Sequence, residues 1–519
     1  MRLYKSSLLL LLAILMIIAL KLPENLSTIL NWVPPVLSFD LSSRIILISF
    51  LLGAFLIVLP AQNLSFSEVL SFSAYTISSL CAVLSEQMIL VIIFFELMAI
   101  SASFIIAAGS KDSGPAVRYA CMHFFVGVIL TAGLALQNTN LIIAGLLINC
   151  ACFPFSFWVV DAYPAASLHG ASYLSLFTTK ISFLVMLLHT CNLWQGYTKT
   201  LAILGAITAI YGIVFVSLEQ NIRRFLGYSV VAQMGMLIMV GSLLSCSENA
   251  TSLLTLNIIF SIAYQLLLIA VANLIILQTK VVNFNRVGKF MSVEGMCALV
   301  AILTMAAFPG TAGFISKSYI AAEIEMNGTN LEVYKNLYKV LSLLLYLSVG
   351  LKFLYYVFIA QNKSKLSIVH GGNSPMLILI LICIIAGSPY LPIYNKPAIF
   401  DSVYNAKNIW SQFNLLLCAT LLFIPLRKLF LPRINFKMDI DWIFRAFIFH
   451  IVSLFNKLIF KVREISAGIL QNLTNLLTSL YFNNVAKLKE VLGYNSVSFV
   501  SASSLFLISI LLVLLCLNH

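Results

Sequence analysis

Two stretches decide how this chain folds: LIIAGLLINCACFPFSFWVV (141–160) and ALVAILTMAAFPGTAGFISK (298–317). Each is long and apolar enough to cross a bilayer, and each is interrupted, by Pro154 in the first and by Pro309-Gly310 in the second. Proline removes a backbone donor and clashes with the preceding turn, so it breaks a helix. Broken backbone at membrane depth is tolerated only inside protein or beside water. Two such breaks predict polar paths within a membrane bundle.

Working outward, the remaining chain is built to match. Of 519 residues, 61% are hydrophobic and only 9% charged, which no soluble globular chain shows. Spanning segments are predicted near 7–22, 44–61, 66–84, 88–108, 117–136, 139–162, 166–190, 199–219, 226–245, 252–278, 294–325, 335–360, 374–392, 413–431 and 496–517. The fold class is therefore an all-α polytopic membrane protein of about 14–15 transmembrane helices. The first run follows Arg2 and Lys5 but has no small-residue cleavage site before Pro23, so it reads as a retained helix.

The breaks fall in the sixth and eleventh segments. Segments three to seven (66–190) and eight to twelve (199–360) thus form two five-helix units, each broken in its fourth helix. Five is odd, so the second unit is predicted to sit inverted relative to the first, a transporter pattern. Residues 1–65 add N-terminal helices, 361–436 add two more, and 496–517 form a last one. Between them, 437–495 alternate apolar and polar residues, with His450, Ser453, Lys457, Lys461 and Glu464 on one stripe. That spacing predicts an amphipathic helix on the cytoplasmic surface.

Charge sets the expected orientation. Lys111 and Arg118, Arg223 and Arg224, Lys280, Arg286 and Lys289, Lys363 and Lys365, and Arg427, Lys428 and Arg433 follow even-numbered segments. Glu24, Glu86, Glu248, Glu323 and Glu325 follow odd-numbered ones. The positive-inside rule then places the N-terminus in the cytoplasm. The net charge of +13 is explained by these loops, and no basic, aromatic-interleaved soluble domain exists to bind nucleic acid. The ten cysteines contain no CxxC pair; Cys81, Cys297, Cys383 and Cys516 lie in apolar runs and read as buried small hydrophobes, not disulfides or metal ligands.

Four charged side chains lie deep in apolar segments: Glu96, Lys180, Lys317 and Lys352. An ionisable group at membrane depth costs a few kcal/mol or more, by about +2.5–3.5 on insertion scales, and it marks an ion or proton route by default. The plainer alternative for a lysine is snorkelling to the interface. Lys180 sits over a dozen residues into its segment, too deep for an easy reach. His169 and His123 read as polar histidines of the bundle, and Arg223 and Arg224 as anchors of a helix end.

Five stretches resemble the proton-translocating antiporter-like subunits of Mrp-type cation/proton antiporters and of respiratory NADH:quinone oxidoreductase (complex I). They are FFELMAISASFIIA (94–107), FPFSFWVVDAYPAASLHGASYLSLFTTK (153–180), LEQNIRRFLGYSVVAQMGM (218–236), AAFPGTAGFISKSYIAAEIE (306–325) and YLSVGLKFLYYVF (346–358). The resemblance covers roughly 66–360 and is closer to the D-type antiporter subunit, by length and by DIDWIFR (439–445). It implies two inverted five-helix repeats and a central relay of buried Glu and Lys: Glu96 as the buried glutamate, Lys180 as the lysine after the first broken helix, Lys317 as the charged residue of the second, with Lys352 a weaker match. Asn149, Pro154, Pro309, Gly310 and Gln265 would line the helix breaks and polar route.

The pattern has gaps. Asn149 stands where the family carries a lysine five residues before the first proline, and asparagine cannot carry a proton charge. Ser156 replaces a histidine, Val160 a proline, and Ser261, Gln265 and Ile269 occupy positions where many members have histidines and a lysine. The resemblance implies a proton-moving, or coupled sodium/proton, subunit of a multisubunit antiporter in a bacterial inner membrane, with other membrane subunits as partners. The alternatives are a proton-pumping membrane-arm subunit of complex I and a non-conducting structural paralogue. No cofactor or metal is expected in this chain: it has no glycine-rich dinucleotide loop and no cluster-type cysteine spacing. Any oxidoreductase activity would belong to the assembly.

Overall fold

A computed structural model describes residues 2–21, 41–61, 64–244, 248–284, 292–326, 332–360, 373–388, 403–427, 429–430 and scattered positions between 453 and 479. The helices are α1 (Arg2–Lys21), α2 (Leu41–Val58), α3 (Phe66–Leu84), α4 (Met88–Gly109), α5 (Gly114–Ala135), α6 (Thr139–Asn149), α7 (Phe157–Ala165) and α8 (Leu168–Thr190). They continue with α9 (Thr198–Leu218), α10 (Ile222–Leu243), α11 (Glu248–Thr279), α12 (Ser292–Met305), α13 (Ala312–Met326), α14 (Glu332–Leu345), α15 (Asn373–Ile385) and α16 (Ala406–Leu426). Ten of the described helices are long and apolar enough to cross a membrane, and four shorter apolar ones accompany them. The protein is an all-α, multi-pass membrane protein.

Local sequence fixes the helix starts. Ser65 and Glu68 form a capping box at α3, with Ser65 N donating to Glu68 Oε2 at 3.0 Å. Asn138, Ser167, Asn221 and Asn405 cap α6, α8, α10 and α16 through side-chain oxygens.

The two breaks separate α6 from α7 and α12 from α13, and they share one backbone device. Cys152 N donates to Leu147 O at 3.0 Å and Ala151 N to Ile148 O at 3.0 Å. At the second break Phe308 N donates to Leu303 O at 2.9 Å and Ala307 N to Thr304 O at 3.1 Å. Each is a Schellman-type ending, and each puts an alanine in the left-handed region, Ala151 at φ 59° and Ala307 at φ 60°. Glycine is the usual occupant there, since a Cβ costs about 1–2 kcal/mol. The same turn at both places shows that the breaks are built features of the chain.

Burial sorts the helices. α10 is 94% and the α8 span 89% buried, whereas α16 is only 17% buried. α8 and α10 are therefore central, and apolar residues such as Leu421 and Ile424 on α16 face outward. α9 crosses α10 with the two backbones in close approach. A Cβ on Gly212 would meet Ala232 N at 2.6 Å, and one on Gly205 or Gly235 would run into the facing backbone. Small residues of this kind let membrane helices approach closely.

Residues Met1–Ile440 form one compact unit and Asp441–His519 another. In the second, the described residues between 453 and 479 are helical and largely exposed, Lys457, Lys461 and Glu464 included. His450 and the segment 496–517 lie outside the described residues.

Among described cysteines, Cys150, Cys152, Cys297 and Cys383 are buried free thiols, whereas Cys81, expected to be buried, is only half-buried and Cys121 and Cys418 are exposed. Cys191 departs from the expectation: it is disulfide-bonded. It sits at the start of the 3-10 turn Cys191–Gly196 that follows α8.

Candidate functional site: buried lysines at the helix breaks

Lys180 lies on the central helix α8 and is 2% exposed. Its ammonium donates to Ser175 O at 2.7 Å. Snorkelling is thereby excluded, because the head group stays inside the bundle. Ser175 lines a small cavity with Tyr163, Arg223, Ile269 and Asn273. Around it stands a polar cluster that spacing did not reveal. Tyr75 OH and Thr178 Oγ1 are 2.5 Å apart, as are Thr76 Oγ1 and Tyr173 OH.

Lys317, on α13, closes the second break. Its ammonium donates to Met305 O at 2.5 Å and to Ser342 Oγ at 2.9 Å. Met305 ends α12, whose last carbonyls lack intrahelical partners. The lysine thus ties the second half-helix to the carbonyl end of the first, where a positive charge is favoured. Lys317 also stands between two small cavities. One is lined by Gln233, Asn257, Ser261 and Tyr264, the other by Ala306, Lys339, Ser342 and Gln412. In the first, Gln233 Oε1 accepts from Tyr264 OH at 2.8 Å and from Gln265 Nε2 at 2.6 Å.

Lys352 is fully buried between two π-helical turns, Tyr346–Leu351 and Tyr355–Ile359. Its ammonium donates to Val216 O, Ser217 O and Glu219 O at 2.7, 2.8 and 2.7 Å. Phe225 and Phe284 each lie 5.5 Å from it. This is a cation capping the carbonyl end of α9.

Glu96, on α4, is half-buried. Its carboxylate lies against Gly127 of α5, where any Cβ would collide with it. Among the described residues, none of the ion pairs joins Glu96 to Lys180, Lys317 or Lys352. Asn149, 4% exposed, ends α6 with Oδ1 unpartnered.

Other motif residues have structural duties. Asp161 accepts from Arg118 Nε at 2.7 Å and Nη2 at 3.0 Å, a bidentate pair bracing α7 against α5. Arg223 Nη2 donates to Ala166 O at 2.6 Å and so covers the end of α7, as expected of a helix-end anchor. Arg224 pairs with Glu219 at 3.0 Å. Replacing Asp161 by Ala is expected to lower stability by about 1–3 kcal/mol, read as a lower midpoint of thermal unfolding in detergent. Arg118→Lys should restore little of the pair, since an ammonium lacks the planar fork.

A multi-pass bundle with two helix breaks and buried lysines agrees with the resemblance carried by the motifs. Residues 122–336 match the family described as NADH:quinone oxidoreductase/Mrp antiporter, TM. The chain is 26% identical over 235 residues to NADH-quinone oxidoreductase subunit N of Cytophaga hutchinsonii, 42% of this chain and 47% of that one. To a probable K(+)/H(+) antiporter component of Rhizobium meliloti it is 24% identical over 361 residues, 61% of this chain and 36% of that one. The chain spans about half the length of the first of the curated relatives it matches. In structure it is similar to a chain of the Mrp complex from Dietzia sp. (TM-score 0.64, 15% identity, 80% of this chain and 95% of that one). A chain of respiratory complex I from Thermus thermophilus gives TM-score 0.61 at 18% identity, covering 74% and 91%. These likenesses show the fold and confirm the resemblance carried by the motifs.

Proposed function

We propose that this chain moves protons, or protons coupled to Na⁺, across a bacterial inner membrane through Glu96, Lys180, Lys317 and Lys352, as a D-type subunit of a multisubunit cation/proton antiporter. The observation that carries this reading is the setting of Lys180 and Lys317. Each ammonium is buried, lies at or next to a small cavity, and is held by a backbone carbonyl instead of a carboxylate. Burial disfavours the charged form of a lysine, and an approaching carboxylate restores it. A lysine without a fixed counter-ion is therefore open to control by one that moves. Glu96 is the carboxylate proposed to do so, with water along the two breaks joining the sites.

The same residues suit a proton-pumping membrane-arm subunit of a quinone oxidoreductase, and the names of several relatives favour that second reading. The gaps at Asn149 and Ile269 favour a third, a non-conducting structural paralogue. The proposed orientation has the N-terminus in the cytoplasm. The disulfide-bonded Cys191 supports it, since the turn after the seventh segment then faces the oxidising side.

Inverted membrane vesicles carrying the full chain and its partner subunits test the function. An imposed cation gradient should drive proton uptake that disappears when the chain is absent, and Lys317→Met should lower uptake about tenfold or more. Uptake independent of Na⁺ and K⁺ but dependent on quinone reduction would favour the oxidoreductase assignment. Uptake unaffected by the chain would leave the structural role.

A further inference from the structure

Besides Ser156 Oγ, the first break carries two more buried polar atoms without partners, His123 Nε2 and Asn149 Oδ1. They come from different helices, α5 and α6, and the two side chains are close enough to interact but do not form a hydrogen bond. The imidazole is held by aromatic packing, its centroid 4.1 Å from Tyr119 and 4.7 Å from Trp158. The Trp158 indole in turn donates to Ile148 O at 3.2 Å, which ties the ring to the carbonyl end of α6. One turn along α5 from His123 is Gly127, the residue that makes room for the Glu96 carboxylate. Positions i and i+4 share a helix face, with Cβ atoms about 5–6 Å apart. Glu96, His123 and Asn149 therefore form a row leading into the break. A buried polar atom left unpaired costs about 1–3 kcal/mol, so a row with two of them needs a reason.

We propose that His123 is the proton-carrying group of the first break, in the place that Asn149 cannot fill, with a water bridging Nε2 to Asn149 Oδ1. The proposal rests on the proton-moving function set out above. A proton leaves the Glu96 carboxyl, whose O–H bond breaks, and adds to the Nε2 lone pair by way of the bridging water, giving a carboxylate and an imidazolium. The Nε2–H bond then breaks as the same water takes that proton and gives one of its own to the neutral amine of a relay lysine, so that the ring and the water return to their neutral forms. Imidazole suits the task because it gains and loses a proton with small changes of surroundings. Asn149 accepts from the water and orients it without being charged itself. Tyr119 and Trp158 fix the ring plane, and the Glu96 carboxylate of α4 lies against Gly127, one turn along α5 from His123.

The test uses vesicles containing the assembled complex and compares His123→Gln, His123→Phe, Lys180→Ala and the double change His123→Gln with Asn149→Lys. His123→Gln and His123→Phe are expected to reduce proton uptake about tenfold or more. The double variant is expected to recover most of it, because a lysine at 149 returns a protonatable group to the same spot. A packing histidine would behave otherwise: Phe would substitute well and the added lysine would rescue nothing. Wild-type uptake in His123→Gln or His123→Phe, with uptake lost in Lys180→Ala, overturns the His123 proposal alone. Wild-type uptake in all of them overturns the proton-moving reading as well. Should the His123 variants fail to assemble, infrared difference spectra of wild-type protein with isotope-labelled histidine decide the matter. A protonation band that Glu96→Gln shifts supports the proposal, and its absence overturns it.

Discussion

Replacing Lys180 by Ala should reduce proton uptake by the assembled complex at least about tenfold while leaving the complex folded. The two halves of that expectation have separate physical grounds. Lys180 makes one hydrogen bond, to Ser175 O within its own helix, and no ion pair with a described residue. Its removal therefore strands no buried partner charge, the circumstance that makes broken ion pairs so costly. The Ser175 carbonyl it leaves belongs to a residue that lines a small cavity together with Tyr163 and Asn273, polar groups that a water could reach. Transport has no such substitute, since alanine offers no site for a proton. Lys180→Arg separates charge from titration: arginine keeps the positive charge and does not release a proton. It should fail as fully as alanine does. Proton-driven fluorescence quenching in vesicles, normalised to the amount of assembled complex, is the measurement. Uptake equal to wild type in Lys180→Ala would remove the relay from consideration.

The second large effect falls on assembly. Gly235→Leu should prevent folded protein from accumulating in the membrane. At the α9–α10 crossing the backbones touch: a Cβ on Gly235 would strike Ala209 N, and one on Gly212 would meet Ala232 N at 2.6 Å. Overpacking that flexible side chains can absorb costs about 1–3 kcal/mol. Here the obstacle is main chain, so the helices must separate. α10 is 94% buried, and separation would loosen the bundle centre. Losses of that size consume much of a typical stability of about 5–15 kcal/mol. Gly196→Ala is the control, because nothing lies within 4 Å of a Cβ there. The readout is folded protein after mild detergent extraction, with wild-type yield for the control and little or none for Gly235→Leu.

Much of this architecture was legible in the chain. Hydropathy placed most of the described helices, because a bilayer demands long apolar helices. Pro154 and Pro309 announced the breaks, and the Schellman endings at Ala151 and Ala307 lie two residues past the helix ends Asn149 and Met305. Asn138, Ser167 and Asn221 marked helix starts by residue type. Depth within a segment singled out Lys180, Lys317 and Lys352, and all three are buried.

Sequence could not say what those lysines hold. Lys352 caps three carbonyls of a helix 133 to 136 residues away. That contact depends on how the stretch Tyr346–Ile359, with two π-helical turns that no composition signal marks, packs against α9. The Gln233–Tyr264–Gln265 cluster, the Tyr75–Thr178 contact and the His123–Asn149 row join residues of different helices for the same reason. The Asp161–Arg118 pair gives a structural duty to a residue whose motif invited a functional one. The chain by itself determined which segments enter the membrane, where they break and which carry charge, since these follow from burial energetics along one dimension. Which charges face cavities, which face carbonyls and which polar atoms are left without partners was decided only by tertiary packing, because a hydrogen bond requires two groups within about 3 Å, and sequence distance does not set that separation.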